Sequence, residues 1–190
     1  MLIENEFEVA APLDAVWNHL LDVPKIAPCL PGAELTEVAG DGVFKGRLLT
    51  KMGPVSLTFT GTAQIIEQDA TAKRIVMKAS GSESKGKGLA EMTVTSTLER
   101  AGSGTKVKVS QDIQIAGALA QFGRGMIADV TTVIMRSFAN CIQDDIDRES
   151  RGETAGPRSS APVSGVSVGF SAFMLAIKRF FGRFFGRSSA

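Results

Sequence analysis

Between Ala33 and Ile115 apolar and polar residues alternate with a period of two, and this constrains the fold more than any other feature of the chain. Phe44, Gly46, Leu48, Thr50 and Met52 share one face of a strand, with Lys45, Arg47 and Lys51 on the other. Val55, Leu57, Phe59, Gly61, Ala63 and Ile65 alternate with Ser56, Thr58, Thr60, Thr62 and Gln64. The same rhythm carries Ile75, Met77 and Ala79, then Ala90, Met92, Val94, Ser96 and Leu98, then Val107, Val109, Gln111, Ile113 and Ile115. Turn residues punctuate the runs at Ala39-Gly40-Asp41-Gly42, Asp69-Ala70-Thr71 and Ala101-Gly102-Ser103-Gly104. The pattern predicts an antiparallel meander of about six strands, apolar on one face and solvated on the other.

Helical signals flank this region. Leu2 to Val9 reads as a strand. Ala11-Pro12 opens a helix, with Val16, Trp17, Leu20 and Leu21 at helical spacing. Val23-Pro24 ends it, and a short second helix is expected over Pro24 to Ala27, before the turn Pro28 to Gly32. From Gly117 to about Asp147 a long helix is expected, with Leu119, Phe122, Met126, Val130, Val133, Ile134, Ser137 and Cys141 on one face. Ile127, Phe138 and Ile142 widen that stripe to one side. One apolar sheet face and one long apolar helix should pack together, which makes residues 1–149 a single α+β domain.

Residues 150–169 follow as a linker: thirteen of the twenty are Gly, Pro, Ala or Ser, and no apolar period runs through them. Residues 170–187 then form an amphipathic segment. Phe170, Phe173, Met174, Ile177, Phe180, Phe181, Phe184 and Phe185 recur at steps of three and four, while Lys178, Arg179, Arg183 and Arg187 occupy the rest. Residues 154–190 carry five bases and no acid, against 16 bases and 20 acids in residues 1–153. An aromatic face, a basic face and no acids are the pattern of a helix lying in an anionic membrane surface. A helix docked on the domain, or one seated in a partner's groove, are the alternatives. No run is long and apolar enough to span a bilayer. The first eleven residues, with three acids, do not resemble a signal peptide, so a reducing cytoplasmic setting is the default expectation.

Residues able to do chemistry are few. The chain has one His, His19, and no Tyr. Cys29 and Cys141 match no metal spacing and are too few for a disulfide framework; Cys141 reads as a small buried hydrophobe and Cys29 as a turn residue. The Gly-rich stretch 81–88 lacks the order of a phosphate loop and reads as a hairpin. An acidic domain with a greasy basic tail argues against nucleic acid. The interior is the remaining asset. Met52, Met77, Met92 and Met126 fall on inward faces, and Gly46, Gly61 and Ala63 leave room beside them. Methionine suits adaptable apolar binding surfaces, although an ordinary core with some methionine gives the same pattern.

Three motifs carry a family resemblance. Val9-Ala10-Ala11-Pro12-Leu13-Asp14-Ala15-Val16-Trp17, with Leu21-Asp22-Val23-Pro24 and Cys29-Leu30-Pro31-Gly32-Ala33-Glu34, resembles the opening of the carbon monoxide dehydrogenase G-subunit family. Gly53-Pro54-Val55 with Phe59-Thr60-Gly61 resembles its middle signature, and Gly117-Ala118-Leu119-Ala120-Gln121-Phe122-Gly123 its entry into the last helix. The resemblance implies a START-like helix-grip fold of the SRPBCC superfamily. It further implies an accessory protein, not an enzyme, that serves carbon monoxide dehydrogenase at the cytoplasmic face of the membrane.

On this basis the expected ligand is a lipophilic electron carrier, menaquinone or ubiquinone, and no metal is expected. Phe44, Leu48, Met52, Phe59, Met77, Met92, Leu119, Phe122, Met126 and Val130 are expected to line one apolar space, with Trp17 near its entrance. Thr50 or a backbone N–H is the expected head-group donor, and the segments 24–32 and 81–88 are the expected lid. A ligand-free membrane anchor or assembly factor, and a START-like enzyme acting on a hydrophobic substrate, are the alternatives.

Overall fold

The computed structural model describes residues 1–52, 54–86 and 88–153, so the predicted linker beyond Glu153 and the predicted membrane-binding tail lie outside the described residues. The chain runs β1 (Leu2–Val9), α1 (Leu13–Leu21), α2 (Val23–Ile26), a 3-10 turn (Ala27–Cys29), β2 (Ala33–Gly40), β3 (Val43–Met52), β4 (Val55–Asp69), β5 (Arg74–Glu83), β6 (Gly88–Ala101), β7 (Gly104–Gly117), a second 3-10 turn (Ala118–Phe122) and α3 (Gly123–Ser150). The seven strands form one antiparallel sheet in the order β1-β7-β6-β5-β4-β3-β2. Every neighbour except β1 is a hairpin partner. β1 instead crosses to pair with β7, from Leu2 opposite Asp112 to Val9 opposite Thr105.

Local chemistry fixes the turns and the curvature. Asp69 accepts from the amides of Thr71 and Ala72, both at 2.9 Å, which closes the β4–β5 turn. Gly61 lies opposite Gly81, and a Cβ at Gly61 would stand 2.0 Å from the Ser80 carbonyl oxygen. Glycine there lets two backbones approach where the sheet coils, which is a different role from leaving room for a ligand. Gly32 ends the Pro31-Gly32 turn at φ +80°, with its missing Cβ directed at the Leu49 carbonyl.

The core is concentrated at one end of the sheet. Val9, Val16, Trp17, Leu20, Ile26, Ile75, Leu98, Val107, Val109, Phe138, Ile142 and Ile146 are buried together. Full burial of such side chains stabilises by roughly 1.5–3 kcal/mol each. Phe7 meets Phe138 edge-on, with ring centroids 6.2 Å apart. The Thr105 hydroxyl, fully buried, donates to the Ala11 carbonyl at 2.8 Å and ties β7 to the start of α1.

Two expectations need correction. First, α3 buries Ile127, Thr131, Phe138, Ile142, Asp145 and Ile146, so its inward stripe is rotated by about one residue from the predicted one. The cause is position: α3 packs chiefly on β1, α1 and the two 3-10 turns. Its C-terminal half is therefore the well-buried half. Second, the two cysteines, read as too few for a disulfide framework, form a disulfide: Cys29 is 3% exposed and is joined to Cys141, with Cα atoms 5.4 Å apart. The 3-10 turn carrying Cys29 packs on α3, which brings together residues 112 apart in sequence.

Candidate functional site

Antiparallel register places directly opposed residues on the same face. Phe44 opposes Ala63, Leu48 opposes Phe59, and Met52 opposes Val55. Ala63 opposes Ala79, which opposes Met92, and Met77 opposes Val94. Met92 opposes Ile113 on β7. The six sheet residues predicted to line a pocket therefore lie on one face of β3 to β6, the face that β7 continues with Val107, Val109, Gln111 and Ile113, all buried. Phe44, Leu48, Met52, Phe59, Met77 and Met92 are only half-buried, unlike Ile75 and Leu98 at the core end. This part of the apolar face is incompletely covered.

The helical residues divide. Leu119 is buried and Phe122 and Val130 are half-buried. Met126 is 41% exposed, because the inward stripe of α3 runs through Ile127 instead. Trp17 is not at an entrance. It is 4% exposed in the core, with the Lys73 ammonium 5.1 Å from its ring centroid. That Lys73 also pairs with Asp14 at 2.7 Å and holds the Asp14 carboxyl below its ordinary value.

Alternation alone does not single out the polar side chains on the inward face. Gln111 is 4% exposed and its Nε2 has no hydrogen-bond partner among the described residues. Its neighbours across the strands are Val94 and Ile3. Asn5, opposite Val109, is its diagonal neighbour on β1, and Asn5 Nδ2 is likewise buried and unpartnered among the described residues. Thr50, the predicted donor, is buried on the same face opposite Leu57. Glu83 is buried opposite Phe59 and accepts from the Lys85 amide at 2.8 Å. The Gly-rich composition of 81–88 points to a hairpin there but not to a buried carboxyl.

Two cavities lie away from this face. One, of about 480 Å³, lies between β1 and α3 and is lined by Asn5, Phe7, Thr132, Met135, Arg136 and Asn140 among others. The other, of about 370 Å³, opens beside His19, Lys25 and Glu149. None of the eleven predicted lining residues borders either one.

His19 is itself 4% exposed. Its Nε2 lies 3.9 Å from Asp145 Oδ2 and its Nδ1 3.6 Å from Glu149 Oε1, too far in both cases for a hydrogen bond. Burial pushes its pKa below the ordinary value, against the pull of the Glu149 and Asp145 carboxylates.

The sequence matches the carbon monoxide dehydrogenase G-subunit (CoxG) family over residues 6–147. The chain belongs to that family. No curated protein matches it. Among solved structures, a conserved protein of Geobacillus kaustophilus superposes with a TM-score of 0.71 at 17% identity, over 78% of this chain and 97% of that one. The Zhui aromatase/cyclase of Streptomyces sp. R1128 gives 0.58 at 19%, over 81% and 99%. A protein of Thermus thermophilus gives 0.54 at 13%, over 76% and 98%. At such identities the likeness is one of fold: the START-like helix grip, with a curved antiparallel sheet and a long C-terminal helix, as the resemblance implied.

Proposed function

We propose that this CoxG-family chain is a non-catalytic accessory protein that carries a respiratory quinone between the membrane and a carbon monoxide dehydrogenase. The observation that carries the reading is the incompletely covered apolar face of β3 to β6, which continues into a buried amide donor, Gln111 Nε2, with no partner among the described residues. A quinone ring offers two carbonyl acceptors and no donor, and its isoprenoid tail is apolar. Gln111 and Asn5 supply donors, and Phe44, Leu48, Phe59, Met77 and Met92 supply apolar contact. Menaquinone and ubiquinone share this chemistry, and these residues do not choose between them.

The sequence of residues 170–187 supports peripheral attachment to the cytoplasmic leaflet. Its four basic residues contribute about 1 kcal/mol each near an anionic surface, and its aromatic side chains add apolar insertion. A chain ending at Glu153 should therefore lose co-sedimentation with vesicles containing anionic lipid and keep its ligand. Ala79→Phe tests the pocket. Ala79 is half-buried between Ala63 and Met92, so a phenyl ring there occupies the uncovered face. This variant should bind vesicles normally and fail to take up quinone. Quinone uptake unchanged by Ala79→Phe would remove the site from this face.

A second reading is a membrane anchor with no ligand. It is favoured by one observation: neither cavity is bordered by the predicted lining. In that case Ala79→Phe has no effect on respiration with carbon monoxide, while loss of the tail abolishes it.

A further inference from the structure

The Cys29–Cys141 pair lies in an unusual polar setting for an apolar core. The sulfur atoms and an Asp145 carboxylate oxygen all lie within 4.8 Å of one another, and Cys29 Sγ is 3.4 Å from Asp145 Oδ2. His19 Nε2 lies 3.9 Å from the same Asp145 Oδ2. Neither ring nitrogen of His19 has a hydrogen-bond partner among the described residues, although the residue is 4% exposed. A buried imidazole without partners is uncommon, because leaving polar atoms dry and unpaired costs free energy.

We propose that, once the Cys29–Cys141 bond is reduced, Cys29, Cys141, Asp145 and His19 bind one divalent transition-metal ion of the zinc type. Two sulfurs, one nitrogen and one carboxylate oxygen form a four-donor set suited to tetrahedral Zn²⁺. Bonds of about 2.0–2.3 Å to such an ion place its ligands roughly 3.3–3.8 Å apart. The Cys29–Asp145 and Asp145–His19 separations stand close to that spacing, whereas His19 lies outside the group of three donors within 4.8 Å of one another, so its ring must swing toward the sulfurs once reduction frees them to part.

The surroundings fit the same role. A metal-bound histidine commonly directs its other ring N–H at a carboxylate, which fixes its tautomer and orientation. Glu149 Oε1 lies 3.6 Å from His19 Nδ1, on the side away from Asp145's contact with Nε2. Glu149 in turn pairs with the Lys25 ammonium, which offsets the negative charge of two thiolates and a carboxylate. The cavity of about 370 Å³ bordered by His19, Asn18, Asp22, Lys25, Ile146 and Glu149 brings solvent to His19, one of the four proposed ligands.

Electrons and protons balance in both steps. A dithiol donates two electrons to the Cys29–Cys141 bond and is itself oxidised to a disulfide, leaving two cysteine thiols. The ion displaces a proton from each thiol to solvent and binds both thiolates. Disulfide and metal site are therefore alternative clasps between the 3-10 turn and α3, chosen by the redox state of the surroundings.

Cobalt(II) is the probe of choice, added alone to the full-length chain. In the oxidised protein it should give no sulfur-to-cobalt charge-transfer band. After reduction with a phosphine, which does not compete for the ion as a dithiol would, one equivalent should give that band together with the visible bands of a tetrahedral site. Zinc should displace it. Cys141→Ser should lose most of the charge-transfer intensity, and His19→Ala should alter the visible bands. Glu149→Gln, which replaces none of the four proposed ligands, should weaken binding about 10- to 100-fold with the spectrum unchanged. Far-ultraviolet circular dichroism checks that each variant is folded. No cobalt band in the reduced full-length chain overturns the proposal, and so does a band indifferent to both His19→Ala and Asp145→Asn. A reduced chain that unfolds and is not recovered by excess metal overturns it as well.

Discussion

Replacing Gln111 with leucine separates a residue kept for a ligand from one kept for the fold. Gln111 is 4% exposed among Val94, Val109, Ile113 and Ile3, and its Nε2 donates to nothing among the described residues. A buried amide left without a partner costs about 1–3 kcal/mol. Leucine has nearly the same volume and no polar atom, so Gln111→Leu should stabilise the ligand-free protein by about 1–3 kcal/mol. For a domain of this size one kcal/mol moves the melting temperature by about 2–4 °C, so the rise should lie between about 2 and 12 °C. Ligand binding should move the opposite way. One neutral hydrogen bond has a net value of about 0.5–1.5 kcal/mol, so quinone affinity should fall about 2- to 13-fold. Urea titration of the delipidated protein and a fluorescence-quenching titration with a short-chain quinone measure the two effects. A ligand-free variant that is less stable than the parent by about a kcal/mol or more would refute the reasoning, because Gln111 would then be serving the fold.

Other outcomes follow from the packing and charge. Phe138→Ala removes a buried ring and its edge-on contact with Phe7, and should cost about 3–5 kcal/mol in a urea titration. Thr105→Val keeps the shape but leaves the buried Ala11 carbonyl without its donor, and should cost about 1–3 kcal/mol. Lys73→Met should return the Asp14 pKa upward toward its ordinary value, as followed by carboxyl NMR chemical shifts. Because the folded Asp14 pKa is depressed, its stabilising contribution is complete above the unfolded value and is lost as pH falls through the folded one. The variant should lack that part of the acid sensitivity.

The sheet was legible because period two is a strong signal when one face is buried. Leu2–Val9 is a strand as expected, and the alternating faces of β3, β6 and β7 match expectation, while β5 departs at Val76, expected outward yet buried, and β4 at its register shift between Ile65 and Glu67. The pairing of β1 with β7 carries no local signal, since it joins the two ends of the sheet sequence. The inward stripe of α3 was displaced because Thr131 and Asp145 are polar yet buried, which a hydropathy pattern counts as outward. The meeting of Cys29, Cys141 and Asp145, with His19 beside Asp145, depends on how α1 and the 3-10 turn lie against α3, and no spacing in the sequence encodes it. Gln111 falls on the inward face by alternation, but nothing in the sequence distinguishes a glutamine with a partner from one without.

Mass spectrometry of an organic extract of the full-length protein, purified without detergent from cells with a respiratory quinone pool, tests the carrier reading most directly. A quinone is expected at close to one molecule per chain, reduced to trace amounts in Ala79→Phe. A wild-type extract without quinone, from a folded protein that binds anionic vesicles, would contradict that reading and leave the anchor.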